Sequence, residues 1–158
     1  MEISLIDVEE QPTVAVRRQV RMVELADFLG GTFDAVAAEV SRAGLRIAGA
    51  PFARYRGKPT DVVDVEAGFP LTEPWRADGD LVAGNLPAAR AIEAVHHGSY
   101  DELRGAYTAI EAWAAEHHVT TQEDVWELYE AGPQSDPDPQ TWRTRIVWPI
   151  ERPAVEGP

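Results

Sequence analysis

The sequence predicts an α+β domain in which duplicated β-α-β-β units form a curved antiparallel sheet, with two helices on one side and a cleft between the halves. Two observations support this fold class. Each half of the chain has the order strand, amphipathic helix, strand, strand. The halves, residues 3–72 and 80–150, also align without a gap at an offset of 74 residues, which matches Tyr55 with Tyr129. A repeat of this length indicates a duplicated supersecondary unit.

The predicted strands have alternating or β-branched residues and are bounded by glycine and proline. In the first half they cover residues 3–8, 13–20, 50–57 and 60–71. In the second half they cover residues 80–84, 89–97, 124–130 and 142–150. Gly57, Lys58 and Pro59 predict the turn that joins the last two strands of the first half.

The helix of the first half is predicted by apolar residues at three- and four-residue steps that end at Val40. Gly44 stands where a glycine typically follows the end of a helix. Gly30 and Gly31 lower the helix propensity of the first turns. We therefore expect this helix to begin near Thr32.

The helix of the second half follows Ser99 and Glu102, whose spacing is typical of a capping box. Its apolar face is formed by Leu103, Ala106, Tyr107, Ile110 and Ala114. His117 and His118 end the pattern, where a cation near the carbonyl terminus is favourable.

Composition and charge indicate a globular chain without a direct nucleic-acid partner. Of its 158 residues 44% are apolar, which is enough for a core. The 14 basic and 27 acidic residues give a net charge of −13, whereas a nucleic-acid surface needs clustered lysine and arginine. An acidic chain favours cationic ligands. No apolar run approaches the ~18 residues of a membrane span and no signal peptide is visible, so we expect a cytoplasmic protein without a membrane partner.

One domain is predicted over residues 1–150, followed by a disordered tail over residues 151–158. Two pseudo-equivalent halves predict a competent monomer, with a weak dimer through an edge strand as the alternative.

No metal or other cofactor is expected. The four histidines form two adjacent pairs, and adjacent strand residues face opposite sides, so each pair offers at most one ligand to a shared site. The chain has no cysteine and no phosphate-binding, nucleophile-elbow or dinucleotide motif.

A carboxylate stands in the middle of one predicted strand. In V-W-E-L-Y-E-A, residues 125–131, the aromatic and β-branched residues favour a pleated, half-buried surface, where glutamate is depleted. In the aligned first half the position of Glu127 is held by Ala53. Because strand side chains alternate, Glu127 and Tyr129 share one face, and Tyr55 lies on the matching face of the equivalent strand.

Two interpretations of this acid follow. If the helices cover the opposite face, which carries Phe52 and Trp126, then Glu127 and the tyrosines look into a groove between the halves. Such a groove suits an apolar ligand with a positive charge. Alternatively, Glu127 lies on a solvated sheet face without a function, and its aromatic neighbours belong to the core.

Five motifs carry a family resemblance: D-V-E-A-G-F-P-L (64–71), L-P-A-A-R-A (86–91), H-H-G-S-Y-D-E-L (96–103), W-E-L-Y-E-A-G-P (126–133) and T-R-I-V-W-P-I (144–150). In this order and spacing the chain resembles the GyrI-like small-molecule-binding family, the effector-binding domain of AraC- and MerR-type multidrug regulators, from Ile3 to Ile150. The family often has glycine where this chain has Ala89. Regulators of the family also carry a helix-turn-helix domain, and this chain has no room for one. It therefore looks like the stand-alone form.

The resemblance implies a cleft for hydrophobic, often cationic, aromatic small molecules, with Glu127 as its acidic residue and Tyr129 as the tyrosine of the W-E-x-Y motif. We favour a binding domain for drug or toxin sequestration or sensing. One alternative is a hydrolase of reactive cyclopropane-containing genotoxins, with Glu127 as the general base and Tyr55 or Tyr129 orienting substrate or water. A second alternative is an inhibitor that interacts with gyrase through its surface.

Further aromatic residues are candidate ligand contacts. Tyr100 stands at the start of the second helix beside the predicted groove. Trp75 lies in a loop and is a candidate lid residue, because loops often carry ligand contacts. Trp142 and Trp148 alternate on one face of the last strand and either wall the pocket or cover the sheet. Trp126 is expected to pack under the helices.

Overall fold

The computed structural model describes residues 1–57, 60–76, 79–133 and 135–151. Its strands are β1 (Ile3–Val8), β2 (Gln11–Arg21), β3 (Phe52–Tyr55), β4 (Val62–Pro70), β5 (Val82–Leu86), β6 (Ala89–His97), β7 (Val125–Ala131) and β8 (Arg143–Pro149). Its helices are α1 (Leu25–Arg42) and α2 (Leu103–Glu116), and short 3-10 turns cover Met22–Glu24, Tyr100–Glu102 and Pro139–Thr141. The turn predicted at Lys58 and Pro59 and residues 152–158 of the predicted tail lie outside the described residues.

All eight strands form one antiparallel sheet in the order β1-β6-β8-β7-β3-β4-β2-β5. The predicted α+β class with a curved antiparallel sheet is confirmed. The order is pseudo-symmetric about the β7–β3 pair, since β6, β8 and β7 on one side correspond to β2, β4 and β3 on the other.

The two halves exchange their first strands. β1 precedes β2 in the chain but pairs with β6, and β5 precedes β6 but pairs with β2. Each half therefore completes the sheet edge of the other half.

Both helices lie on the sheet face that carries Glu127, and this corrects the expectation that they cover the opposite face. Three apolar residues of α2, Ala106, Ile110 and Ala114, pack in one cluster with Val125 of β7 and Ile146 of β8. The α1 helix packs over β2 and β4. Strand alternation then places Glu127 and Tyr129 on the same face as Val125, over the central strands between the two helices.

The opposite face is closed by the curl of the sheet itself. Val8 of β1 and Leu86 of β5, which belong to the two edge strands, share one apolar cluster with Phe52 and Trp126. Trp126 therefore packs inside this half-barrel, and the expectation that it lies under the helices is wrong.

The α1 helix begins seven residues earlier than Thr32, at Leu25. Leu25, Phe28 and Leu29 pack against the buried Val20, Val63 and Val65 cluster. This burial outweighs the propensity cost of two glycines, about 1 kcal/mol each. Gly44 follows the helix with a φ of 73°, as predicted.

The α2 helix begins with a 3-10 turn rather than with the predicted capping box. Ser99 has the extended backbone of an N-cap residue, but its side chain makes no capping hydrogen bond. Within the part of the chain that the structure describes, neither helix is long and apolar enough to cross a membrane.

Candidate functional site

Glu127 is the centre of a buried polar cluster on the helix side of the sheet. Only 4% of its surface is exposed. Tyr107, from α2, donates a hydrogen bond of 2.5 Å to Oε2, and Tyr129, two residues along β7, donates one of 2.7 Å to Oε1. Each carboxylate oxygen thus has one phenol donor, and charge-assisted bonds of this kind are the strong ones.

The cluster lies on the local two-fold axis of the duplicated fold. Ala53 and Glu127 are equivalent by the 74-residue offset, and they are also direct partners in the β3–β7 ladder. The matching tyrosines meet across this axis, with 3.3 Å between the hydroxyl oxygens of Tyr55 and Tyr129. Because direct cross-strand neighbours lie about 5 Å apart, acids at both axial positions would repel each other. The axis therefore has room for one carboxylate.

Aromatic rings surround the polar cluster. Tyr129 contacts the rings of Phe33 on α1 and Tyr100, at centroid distances of 5.9 and 5.8 Å. Tyr100, with 37% of its surface exposed, packs in turn on Trp142 at 5.1 Å. The walls around the acid are therefore apolar and aromatic, as in many small-molecule sites.

Burial governs the protonation of these groups. It raises the pKa of Glu127, while the hydrogen bonds from Tyr107 and Tyr129 and the nearby His96 lower it in part. Burial, together with the Glu127 charge, also raises the pKa of Tyr55, Tyr107 and Tyr129. The phenols are therefore neutral donors at physiological pH, and the carboxylate is held in a medium that disfavours its charge.

The residues predicted from the sequence fall into three groups. Glu127, Tyr129 and Tyr55 come together as described, with Tyr100 and Trp142 as an outer layer. Trp148 stands behind Tyr107, with their ring centroids 5.6 Å apart, and its indole nitrogen donates to the Gln122 carbonyl.

Trp75 lies apart from this cluster. Only 5% of it is exposed, and it packs with Val36 and Val40 of α1 in the core. It is therefore not the exposed lid residue that its loop position suggested, because the space under α1 accepts a large apolar ring.

Sequence reasoning assigned Tyr107 to the apolar face of a helix and missed its bond to Glu127. A signal was present, because the 74-residue offset aligns Tyr107 with Phe33. The hydroxyl group, which only Tyr107 of this pair carries, needs a polar partner when it is buried. Phe33, His96 and Thr144, which lie on the same side of the sheet, were also missed. Among the described residues no cluster of three or more histidines and acids has the geometry to hold a metal ion.

A second concavity opens on the other face of the sheet. It is a cavity of about 320 Å³, and its lining includes Trp126 and Leu128. At its rim Arg145 contacts both Glu93 and Glu130, at 2.9 and 3.0 Å. These two acids have a cationic partner, whereas Glu127 has phenol partners.

Sequence and fold together identify the chain as a small-molecule-binding domain. The crystal structure of the EcmrR C-terminal domain superposes with a TM-score of 0.84 at 23% identity, covering 96% of this chain and 98% of that one. In the cryo-EM structure of an EcmrR–DNA complex the match has the same TM-score at 24% identity and spans 58% of the EcmrR chain. The profile of the GyrI-like small molecule binding domain matches residues 1–151, and the chain belongs to this family.

More distant structures share the fold. The structure of SAV2435 bound to tetraphenylphosphonium superposes with a TM-score of 0.65 at 12% identity, over 96% of this chain and 94% of that one. A structure described as a hydrolase from Listeria innocua does so with a TM-score of 0.64 at 10% identity, over 95% and 92% of the two chains. No curated protein matches the sequence significantly.

Proposed function

We propose that this domain binds hydrophobic aromatic cations at Glu127, and thereby sequesters or senses a drug or toxin. The observation that carries the proposal is a buried carboxylate whose two hydrogen bonds come from phenols. The ion pairs of the described residues involve other acids. A buried charge is costly unless it is paired. A cationic ligand supplies a counter-charge in direct contact with the carboxylate.

The surrounding rings favour the same ligand class. The faces of Tyr129, Tyr100 and Phe33 carry negative π-electron density and attract a cation, while their area accepts apolar groups. Tetraphenylphosphonium, which is bound in the SAV2435 structure, is a compound of this chemistry.

Access to the acid requires movement of the aromatic layer. With 4% of Glu127 exposed, a ligand reaches its carboxylate only after neighbouring rings have moved. The Tyr100–Trp142 pair is the accessible part of this layer, because Tyr100 is 37% exposed. Ligand affinity therefore includes the energy needed to open this pair.

Cation binding at Glu127 is expected to depend on pH. Binding of a cation requires the charged carboxylate, and the pKa of Glu127 is raised above its ordinary value of 4.5. Cation affinity is therefore constant at high pH and falls as the pH decreases through this raised pKa, before ordinary exposed acids are protonated. A neutral aromatic ligand loses no affinity over the same interval.

The test compares wild type with Glu127→Gln by tryptophan-fluorescence titration of tetraphenylphosphonium and of neutral triphenylphosphine oxide. We expect the substitution to weaken phosphonium binding by about thirtyfold or more, since losing one member of a buried charge pair costs at least about 2 kcal/mol, and to leave the affinity for the oxide unchanged. Glu93→Gln is the matched control on the opposite face. If that variant alone loses phosphonium affinity, the cation occupies the other cavity and the proposal is wrong.

Hydrolysis is the second candidate function, because the raised pKa of Glu127 suits a general base and a fold relative is described as a hydrolase. Glu127 would take a proton from a water that attacks an electrophilic ligand, with Tyr129 holding the carboxylate in place. Mass spectrometry of titrated electrophilic compounds distinguishes the two functions. Product formed by wild type and lost in Glu127→Gln supports a hydrolase, and intact recovery of bound compounds supports a binding protein.

A further inference from the structure

Thr144 of β8 carries a buried hydroxyl group that has no hydrogen-bond partner in the described part of the chain. The residue is 0% exposed, and its Oγ1 makes no hydrogen bond with the described residues. Buried hydroxyls normally have a partner, and leaving one unpaired is unfavourable. Valine has the same shape and would fill this strand position without that cost.

Strand pairing places this hydroxyl beside the candidate ligand site. Thr144 pairs with Tyr129 on β7 and with His96 on β6. Glu127 pairs with Ile146, two residues further along β8 on the same face. Thr144 is thus the diagonal neighbour of Glu127, at a separation of roughly 7–8 Å between their backbones.

The polar groups that flank Thr144 are engaged elsewhere. The Tyr129 hydroxyl donates to Glu127, and His96 Nε2 lies 2.9 Å from the Ser99 carbonyl oxygen. Neither group makes a hydrogen bond with Thr144. Its hydroxyl, which donates and accepts, therefore remains available to a molecule that enters the site.

We propose that Thr144 is a specificity-determining residue of the Glu127 site and hydrogen-bonds a polar atom of the ligand. The inference rests on the proposed function and narrows its ligand class to aromatic cations that also carry a hydroxyl, ether or carbonyl oxygen. Glu127 then binds the charge, the aromatic rings bind the apolar body, and Thr144 discriminates between ligands by their oxygen.

The test uses two phosphonium cations of equal shape, meta-(hydroxymethyl)phenyl-triphenylphosphonium and meta-ethylphenyl-triphenylphosphonium. We expect wild type to bind the hydroxymethyl compound about five- to tenfold more tightly, the effect of one additional hydrogen bond. Thr144→Val abolishes this preference, and Thr144→Ser, which retains the hydroxyl, keeps it.

Thr13→Val is the matched control. Thr13 is also 0% exposed with an unpartnered Oγ1, but it lies on the opposite face of the sheet, in register with Gly84 of β5. This variant keeps the wild-type preference. A Thr144→Val protein that binds both cations and still prefers the hydroxymethyl compound overturns the inference while the proposed function stands, as does a wild type without any preference. If wild type binds neither cation, the proposed function fails, and the inference fails with it.

Discussion

Replacing Tyr107 by phenylalanine removes one of the two hydrogen bonds to Glu127 and keeps the ring. The aromatic contact with Trp148, at a centroid distance of 5.6 Å, is retained. What is lost is the 2.5 Å bond from the phenol to Oε2 of a carboxylate that is 4% exposed. The substitution therefore isolates the electrostatic part of the cluster.

The size of the effect depends on the charge of Glu127. A hydrogen bond to a charged group contributes about 1.5–3 kcal/mol and one to a neutral group about 0.5–1.5 kcal/mol. At neutral pH we expect Tyr107→Phe to lower the free energy of unfolding by about 2 kcal/mol, equivalent to about 4–8 °C in melting temperature for a chain of this size. When the carboxyl group is protonated, the loss decreases to about 1 kcal/mol.

The sign of the pH dependence follows from the raised pKa of Glu127. Because burial disfavours the charge, the folded state binds this proton more tightly than the unfolded state does, whose group titrates near 4.5. This contribution to stability is complete below pH 4.5 and is lost as the pH rises through the folded-state pKa. Tyr107 lowers that pKa, so Tyr107→Phe raises it further and deepens the loss at neutral pH.

The assay is chemical denaturation of wild type and Tyr107→Phe from about pH 8 to about pH 4, with Tyr100→Phe as the control. Tyr100 lies in the outer aromatic layer, and its hydroxyl does not bond Glu127, so its removal is expected to stay within about 0.5 kcal/mol. A Tyr107→Phe loss of equal size at both ends of this pH range would contradict this prediction, because the bond would then not depend on a carboxylate charge.

Three further substitutions test the packing. Gly31→Ala is expected to stabilise the protein by about 0.5–1 kcal/mol in thermal denaturation, because Gly31 is in α1 and an added Cβ meets no atom within 4 Å. Gly68→Ala is expected to prevent stable folding, judged by expression and circular dichroism, because the Cβ would lie 1.9 Å from the carbonyl oxygen of Val14 and 2.7 Å from Cα of Ala15. Thr144→Val is expected to leave the free energy of unfolding unchanged or to raise it by up to about 1 kcal/mol, measured by thermal denaturation. A clear decrease in stability would mean that the hydroxyl has a hydrogen-bond partner.

The repeat in the sequence predicted the α+β class with its curved antiparallel sheet. The 74-residue offset aligned Tyr55 with Tyr129, and these two hydroxyls meet at the axis between β3 and β7. The strand β6 has the predicted bounds, because its alternating residues are followed by a glycine at position 98.

The side on which the helices pack could not be predicted from strand patterns. Alternation shows that Phe52 and Trp126 share one face and that Ala53 and Tyr55 share the other. Both faces are buried, one by helices and one by the curl of the sheet, so neither has the polar pattern that marks a solvated side. Which face receives the helices depends on contacts between distant elements, such as the Tyr107–Glu127 bond.

The same limit applies to Trp75 and Thr144. A loop position indicates exposure for Trp75, but its ring fills space that Val36 and Val40 leave under α1. An unpaired hydroxyl such as that of Thr144 is defined by what its neighbours bond to, and this requires coordinates.

The most direct test of cation binding at Glu127 compares the affinities of tetraphenylphosphonium and tetraphenylborate, which have the same shape and opposite charge, for wild type and Glu127→Gln. The titrations are done at about 0.15 M salt to screen the net charge of −13. We predict that wild type prefers the phosphonium by at least about tenfold and that most of this preference disappears in the variant. Equal affinities in wild type, or an unchanged preference in Glu127→Gln, would contradict the claim that the buried carboxylate binds the cation.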